Sequence, residues 1–350
     1  MRKQEFFGMA REEAVALLAA APVVRLASVG ERGQPVLRTL HAVVLDEALY
    51  FHAAPVGEKS ETVGQAAVMA ADEMVATIPS HVFDPERACP ATTYYRSAQA
   101  HGTLEAVEDP VTKARMLQAL MEKYQPEGGY VPIIADDPRY RGAVRGIAVI
   151  RMRLDHVDGK AKLGQNRSAD DLAKVLRFLW QRGEPGDPRA IDLVRAANPI
   201  VPRPEFLKIS KECPEGARLC CALGADDLPQ AVALLEGEYW NADVPRDRIA
   251  RCQVSSSAWV GARDEQGRLI ATGRALGDGA RWAYLLDIAV AKPWRGRGLG
   301  KALVSLLLDH PQVRGCRRVH LRTRDAQRFY EDFGFRERVE LPGTEMVLKR

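Results

Sequence analysis

The sequence predicts an α+β chain of two domains, an antiparallel β-barrel with helices followed by a mixed α/β domain. Three observations carry this. Its 350 residues exceed what one ordinary core organises. Pro199, Pro202 and Pro204 lie within six residues, where neither a helix nor a central strand can run. Ahead of them strand-like segments give way to helical periodicity, and behind them strands and helices mix. The expected domains are therefore residues 1–198 and 207–350, with a stiff proline-rich linker at 199–206.

The elements follow in order. Glu5, Glu12 and Glu13 interrupt what would otherwise resemble a secretory leader, so Glu12–Ala21 is expected to be an ordinary amphipathic helix. Strands are expected at Val23–Val29 and Val36–Leu45, joined by the turn Gly30-Glu31-Arg32-Gly33. Further strands fall at Ala48–Ala53, Ala67–Ala71 and Thr92–Val107. A helix runs from the cap Asp109, with Pro110 at its first position, to Lys123. Gly146–His156 is β-like, and helices follow at Ala169–Gln181 and Pro188–Ala197. Antiparallel strands with so few helices between them suggest a small barrel.

Composition narrows the function. With 46% apolar and 27% charged residues the chain is an ordinary globular one. Fifty Lys and Arg against 46 Asp and Glu leave a net charge of +4, too little for a nucleic-acid surface, and no helix-turn-helix or basic arm is present. No run approaches the length of a membrane span, so a cytoplasmic protein is expected. Cys89, Cys213, Cys220, Cys221, Cys252 and Cys316 form no CxxC pair and no zinc spacing with histidine. Most are expected to be reduced thiols in small core positions, and no metal is expected.

The strongest motif is Val290-Ala291-Lys292-Pro293-Trp294-Arg295-Gly296-Arg297-Gly298-Leu299-Gly300-Lys301-Ala302. It follows the apolar strand Trp282–Val290 and opens a helix reaching about His310. Alternate glycines clear side chains from the turn, and the helix start adds its positive dipole end, so main-chain N–H groups can face a pyrophosphate. A nucleotide P-loop would need Gly-Lys-Ser/Thr, which is absent. A dinucleotide loop would need an acidic residue about 20 positions on in a βαβ unit, which is not cleanly offered. A glycine turn without ligand is the remaining alternative.

Arg295-x-x-Gly298-x-Gly300 after Val290 resembles the acetyl-CoA loop of the GNAT acyltransferases. About 30 residues on, Leu321-Arg322-Thr323-Arg324-Asp325-Ala326-Gln327-Arg328-Phe329-Tyr330-Glu331-Asp332-Phe333-Gly334-Phe335 resembles that family's strand, helix and Gly-Phe turn. The resemblance covers roughly Ala217 to Arg350. It implies an acetyl-CoA-dependent N-acetyltransferase acting on a small amine, with direct attack and no covalent enzyme intermediate. It implies that Ile288, Val290, Arg295, Arg297, Gly298, Leu299, Gly300 and Lys301 bind acetyl-CoA, largely through backbone N–H groups. Tyr330 matches the tyrosine that protonates the leaving thiolate, the alternative being packing beside Phe329 and Phe333. Asp287 stands in an apolar strand, where a carboxylate is costly unless used or paired; it is read as base or amine anchor, or else as a structural partner. Glu238, Tyr239 and Trp240 fall where the family builds its acceptor wall, and Arg274 and Ser255 to Ser257 are candidates for the same cleft.

The first domain resembles the FMN-binding split barrels, the group of pyridoxamine-phosphate oxidases and nitroimidazole-resistance proteins. The residues that carry this are Gly33-Gln34-Pro35-Val36-Leu37-Arg38-Thr39-Leu40-His41, Tyr50-Phe51-His52-Ala53-Ala54-Pro55-Val56-Gly57-Glu58-Lys59, Tyr94-Tyr95-Arg96-Ser97-Ala98-Gln99-Ala100-His101-Gly102 and Lys160-Ala161-Lys162-Leu163-Gly164-Gln165-Asn166-Arg167-Ser168. The resemblance implies a split barrel binding FMN, pairing as a homodimer with flavin at the seam. A flavin phosphate wants Lys or Arg with backbone donors, which Gly57, Lys59 and Arg38 on a neighbouring strand can supply, together with Thr39. His52 is expected to contact the flavin or to be a bonded barrel histidine. Lys160, Lys162 and Arg167 add to the anion site or form a solvated face. Haem is the alternative cofactor, with His41, His52 or His101 as ligand. Three functions are weighed: a flavin barrel fused to an N-acetyltransferase, chemically coherent as nitro reduction followed by acetylation; a flavin or haem sensor without turnover; and a barrel serving purely as a dimerisation platform.

Overall fold

The structure is a computed structural model that describes residues 4–30, 32–57, 62–201, 203–208 and 213–337. By contacts the chain forms two units, Met1–Ser168 and Ala169–Arg350.

The first unit is an eight-stranded antiparallel sheet: β1 (Val24–Val29), β2 (Pro35–Leu40), β3 (Val43–Leu45), β4 (Ala48–Ala53), β5 (Ala66–Ile78), β6 (Thr92–Val107), β7 (Ala148–Arg153) and β8 (His156–Lys162). Its path runs β2-β1-β5-β6-β7-β4-β3, with β8 also on β6. The long β6 organises it. β5 lies along one edge of β6, while β8 pairs Tyr95–His101 and β7 pairs Leu104–Val107. One core draws Leu26, Met69, Ala98, Phe51 and Ile150 from five strands and Leu18 from the helix Arg11–Ala20. The sheet therefore curls around a shared interior, yet among the described residues its ladder ends at β2 and β3 without closing. The barrel is split.

Three expected strands change their limits. Val36–Leu45 divides at His41 and Ala42, where the ammonium of Lys123 takes the Ala42 carbonyl at 2.9 Å and the Ala21 carbonyl at 2.8 Å. Gly146–His156 divides where the Leu154 N–H bonds the Glu47 carbonyl at 2.9 Å. The strand expected at Ala67–Ala71 runs on to Ile78, because Asp72 and Glu73 pair across strands with Arg25 and Arg96. The helix Pro110–Tyr124 starts as expected, its cap Asp109 accepting from Thr112 N at 2.8 Å.

The second unit holds a five-stranded sheet of β9 (Arg218–Cys220), β10 (Ala258–Arg263), β11 (Leu269–Gly277), β12 (Trp282–Val290) and β13 (Arg318–His320). The order is β13-β12-β11-β10-β9, antiparallel except for the parallel pair β12–β13. The helices Ala169–Arg182 and Asp187–Ala197, read from sequence with the first domain, belong to this unit. Trp180 stacks on Phe206 at 4.5 Å and donates from Nε1 to Asp309 at 2.7 Å. Asp192 accepts from the Ala222 N–H at 3.0 Å. The contact division thus falls ahead of the proline-rich segment. Only Cys220 and Cys221 are buried; Cys89 and Cys252 are exposed, so the expectation of mostly core thiols is corrected.

His310 caps the second unit's helix end. Its Nδ1 accepts from Gln312 N at 3.2 Å, and burial holds its pKa down at about 4 from 6.5. The folded state therefore keeps it neutral while the unfolded chain would protonate near 6.5, so stability present above that pH drains away as pH falls towards 4. The loss is of order 3 kcal/mol. Melting followed from pH 7 to 4 is expected to show it, with a shallower fall in His310→Gln. Equal slopes would mean His310 is not the group.

Candidate active site

The site is built on a break in β12. Thr272 pairs with Ala289 and Arg274 with Leu286, so Asp287 and Ile288 oppose the single residue Gly273. This is a β-bulge. Asp287 adopts φ 51°, a left-handed conformation that aspartate tolerates better than most residues. Gly273 keeps this turn of the sheet close to the helix Leu299–Asp309, where a Cβ would press on Leu303 at 3.1 Å and Leu307 at 3.2 Å.

The bulge turns the Asp287 carboxylate into a cluster of donors. Arg274 Nε donates to Oδ2 at 2.6 Å, Gln253 Nε2 to the same oxygen at 3.0 Å, and Trp240 Nε1 to Oδ1 at 3.2 Å. The Arg274 and Asp287 side chains are only 9% and 10% exposed. Three of the residues singled out from sequence thus meet at one point. Gln253 was not foreseen. Its signal is that it follows Ile249 by four positions on the helix Arg246–Val254, and both are buried.

Glu238, Tyr239 and Trp240 reach three different places. Glu238 pairs with Arg295, whose Nε also donates to the Val290 carbonyl at 2.8 Å. The Tyr239 hydroxyl accepts from Arg324 N at 3.2 Å, and the Arg324 guanidinium lies 3.8 Å from the Tyr239 ring centre. Trp240 holds Asp287. Ser256 and Ser257 instead bond the carbonyls of Cys252 and Gly277, and with Pro188 and His310 they line another cavity. Their expected place in the cleft is corrected: short hydroxyl side chains are spent on their own backbone.

Beyond Val290 the loop turns through Gly296 at φ 72° and Gly298 at φ 85° into the helix Leu299–Asp309. No side chain among the described residues caps that helix, and the N–H groups of its first turn, such as those of Leu299 and Gly300, have no acceptor within the helix. The Leu299 side chain is buried, which leaves only its backbone for a ligand. Val290, Trp294, Arg295, Gly298, Lys301 and Phe329 line a cleft of about 580 Å³. The cations around it are braced: Arg297 stacks on Trp294 at 4.6 Å and Lys301 pairs with Asp332 at 3.1 Å. Ile288 is half-buried in the bulge.

Tyr330 stands on the short helix Gln327–Glu331, edge-on to Phe329 at 4.9 Å. Burial, and then the neighbouring Tyr239, raise its pKa above the usual 10.0. Phe329 lines the loop cleft, while Tyr330 opens onto a second cavity of about 530 Å³ with Tyr284 and Thr323.

In the first unit, Arg38 and Thr39 lie on β2, His52 on β4, and Gly57 beyond β4 at φ 136°. Lys59 lies outside the described residues. The expectation that β2 neighbours β4 is corrected, because β3 and β7 occupy the two edges of β4. The His41 ring packs tilted against Tyr124, 4.3 Å between centres. Lys162 donates to Thr92 at 2.7 Å, Arg167 to the Pro90 carbonyl at 3.2 Å, and Lys160 lies 5.7 Å from the rings of Phe7 and Tyr95. These three are engaged locally rather than gathered as an anion site.

Comparison with known proteins matches two segments of the chain to families. Residues 226–335 match the acetyltransferase (GNAT) family, and residues 10–161 match the pyridoxamine 5'-phosphate oxidase family. The chain therefore joins a pyridoxamine 5'-phosphate oxidase-like domain to a domain of the GNAT acetyltransferase family. Among solved structures, an acetyltransferase assigned to the GNAT family from Xanthomonas campestris is similar at 30% identity, over 35% of this chain and 86% of that one, with a TM-score of 0.33. A protein from Bacteroides thetaiotaomicron described as a 5-nitroimidazole antibiotic resistance protein is similar at 18% identity, over 44% and 86%, with a TM-score of 0.35. An FAD- and haem-binding protein from Mycobacterium smegmatis is similar at 16% identity, over 48% and 79%, with a TM-score of 0.38. No curated protein matches the chain. No helix among the described residues is long and apolar enough to cross a membrane.

Proposed function

We propose that the C-terminal domain transfers an acetyl group from acetyl-CoA to the amine of a small molecule. The observation that carries this is the uncapped start of the helix Leu299–Asp309, set behind two left-handed glycines and beside the bulge in β12. The backbone N–H groups of Gly298, Leu299 and Gly300 would receive the pyrophosphate, with Arg297 and Lys301 at the rim. The β11 ladder is interrupted at Asp287 and Ile288, and β13 pairs only Trp282–Tyr284 of β12, so backbone groups of Ile288 and Val290 would serve the pantetheine arm and the thioester carbonyl. Arg295 braces the loop against Glu238 and Val290. The amine nitrogen attacks the thioester carbon and the C–S bond breaks. Tyr330 gives its proton to the sulfur, and the amine's proton leaves to water. Tyr239 and Trp240 form the acceptor wall. With three donors already converging on it, Asp287 is read as the anchor of that wall rather than the base, and Arg274 as its counter-ion.

Calorimetric titration with acetyl-CoA tests this. Wild-type protein is expected to give a saturable isotherm. Gly298→Val is expected to weaken it about tenfold or more, since a β-branched residue at this φ costs about 1–2 kcal/mol. A flat wild-type titration would end the reading.

For the N-terminal domain we propose FMN, with Arg38, Thr39, His52, Gly57 and Lys59 towards its phosphate and a second copy of the chain completing the site. The family match supports it, and the guanidinium and hydroxyl suit a phosphate. Flavin bands in the absorption spectrum after addition of FMN are expected. A Soret band would assign haem instead, and a colourless protein would leave the domain a dimerisation platform. Free thiols at every described cysteine suit a reducing, cytoplasmic setting.

A further inference from the structure

The curled sheet of the first unit brings His101 to His156 and Asp158, which the sequence keeps far from it. β6 and β8 set His101 directly opposite His156, and Asp158 follows two residues along β8. Ala100 and Val157 belong to the core, so by strand alternation His101, His156 and Asp158 share the opposite face. His101 Nε2 lies 3.6 Å from Asp158 Oδ2, and His156 Nε2 lies 3.8 Å from the same oxygen. One ligating atom from each of the three lies within 4.8 Å of the others.

These distances are too long for hydrogen bonds, so the cluster is poorly explained as a simple bonded triad. The Nε2 of His101 is buried and has no hydrogen-bond partner among the described residues, a cost that a partner would remove. An ion bound at about 2.0–2.2 Å to each ligand in tetrahedral geometry needs ligand atoms roughly 3.3–3.6 Å apart. The two histidine–aspartate pairs, at 3.6 and 3.8 Å, need a few tenths of an ångström of closure at most, and the histidine pair, within 4.8 Å, closes by rotation of the exposed His156 side chain. The neighbours on this face do not compete. Gln99 lies opposite Asp158, Val68 opposite His101, and the Lys160 ammonium is turned to the rings of Phe7 and Tyr95. The side chains of His101, His156 and Asp158 are 36%, 69% and 25% exposed, so an ion can reach them from solvent.

We propose that His101, His156 and Asp158 form a binding site for a divalent transition-metal ion of the zinc, cobalt or nickel class, with solvent completing the coordination. Two imidazoles and one carboxylate favour such borderline ions over magnesium or calcium, which prefer all-oxygen sites. Bound there, the ion clamps β8 to β6.

The test uses the full chain, stripped with a chelator and titrated with Co²⁺ by visible absorption and with Zn²⁺ by calorimetry. The expected result is one saturable site with ligand-field bands. His156→Ala and Asp158→Asn are each expected to weaken it at least about tenfold, while His81→Ala leaves it unchanged. His156 is exposed, so its removal leaves the fold intact, which a circular dichroism spectrum checks. Titrations without saturation, or unchanged in both variants, would overturn the site. So would a near-ultraviolet thiolate charge-transfer band, which would place the ion on the exposed Cys89 or Cys252.

Discussion

Replacing Asp287 by asparagine is expected to destabilise the C-terminal unit by about 3–5 kcal/mol, the range for stripping one partner from a buried ion pair. Arg274, at 9% side-chain exposure, would keep its charge without a counter-ion. Asparagine tolerates the left-handed φ of 51° as aspartate does, so the backbone of the bulge is undisturbed and the loss reports the charge. At roughly 2–4 °C per kcal/mol for a unit of this size, the melting temperature falls by roughly 6–20 °C. Arg274→Met in the same chain removes the orphaned cation and is expected to restore part of the loss. A single variant melting within a degree or two of wild type would show that the pair contributes little and that Asp287 is free for another role.

Replacing Tyr330 by phenylalanine is expected to lower the acetylation rate about 10²- to 10⁴-fold, the range for losing a positioned general acid. Acetyl-CoA affinity should not change, because Phe329 and not Tyr330 lines the loop cleft proposed to hold the pyrophosphate. The pH profile separates this from a packing defect. Burial and Tyr239 push the Tyr330 pKa above 10.0, so the phenol stays protonated through the neutral range. Its donor form is lost only as pH rises through that raised value, and the wild-type rate should show no alkaline fall below about pH 10. An unchanged rate in the variant, with an amine acceptor in hand, would remove Tyr330 from the chemistry.

What the sequence made legible was whatever local chemistry decides. The strand Trp282–Val290, the glycine loop and the Asp109 cap were all readable, since period, turn glycines and capping residues act over a few positions. A lone carboxylate in an apolar strand pointed to Asp287, but not to its partners. Register hides them: only the bulge opposite Gly273 brings Arg274, Trp240 and Gln253 to the same carboxylate. The helices Ala169–Arg182 and Asp187–Ala197 were legible as helices, but not as members of the second unit, because the contacts Trp180–Phe206 and Asp192–Ala222 span the proline segment. Proline marks where regular structure stops, not where a core ends.

Glu238, Tyr239 and Trp240 are consecutive, yet their contacts go to Arg295 beneath the loop, to Arg324, and to Asp287 in the bulge. Such a segment behaves as a single lever with three fulcrums. On the proposed function, a substitution that widens the acceptor wall is expected also to slacken the brace under the donor loop, so that selectivity for the amine and affinity for the acyl donor would change together, as one inherited trait.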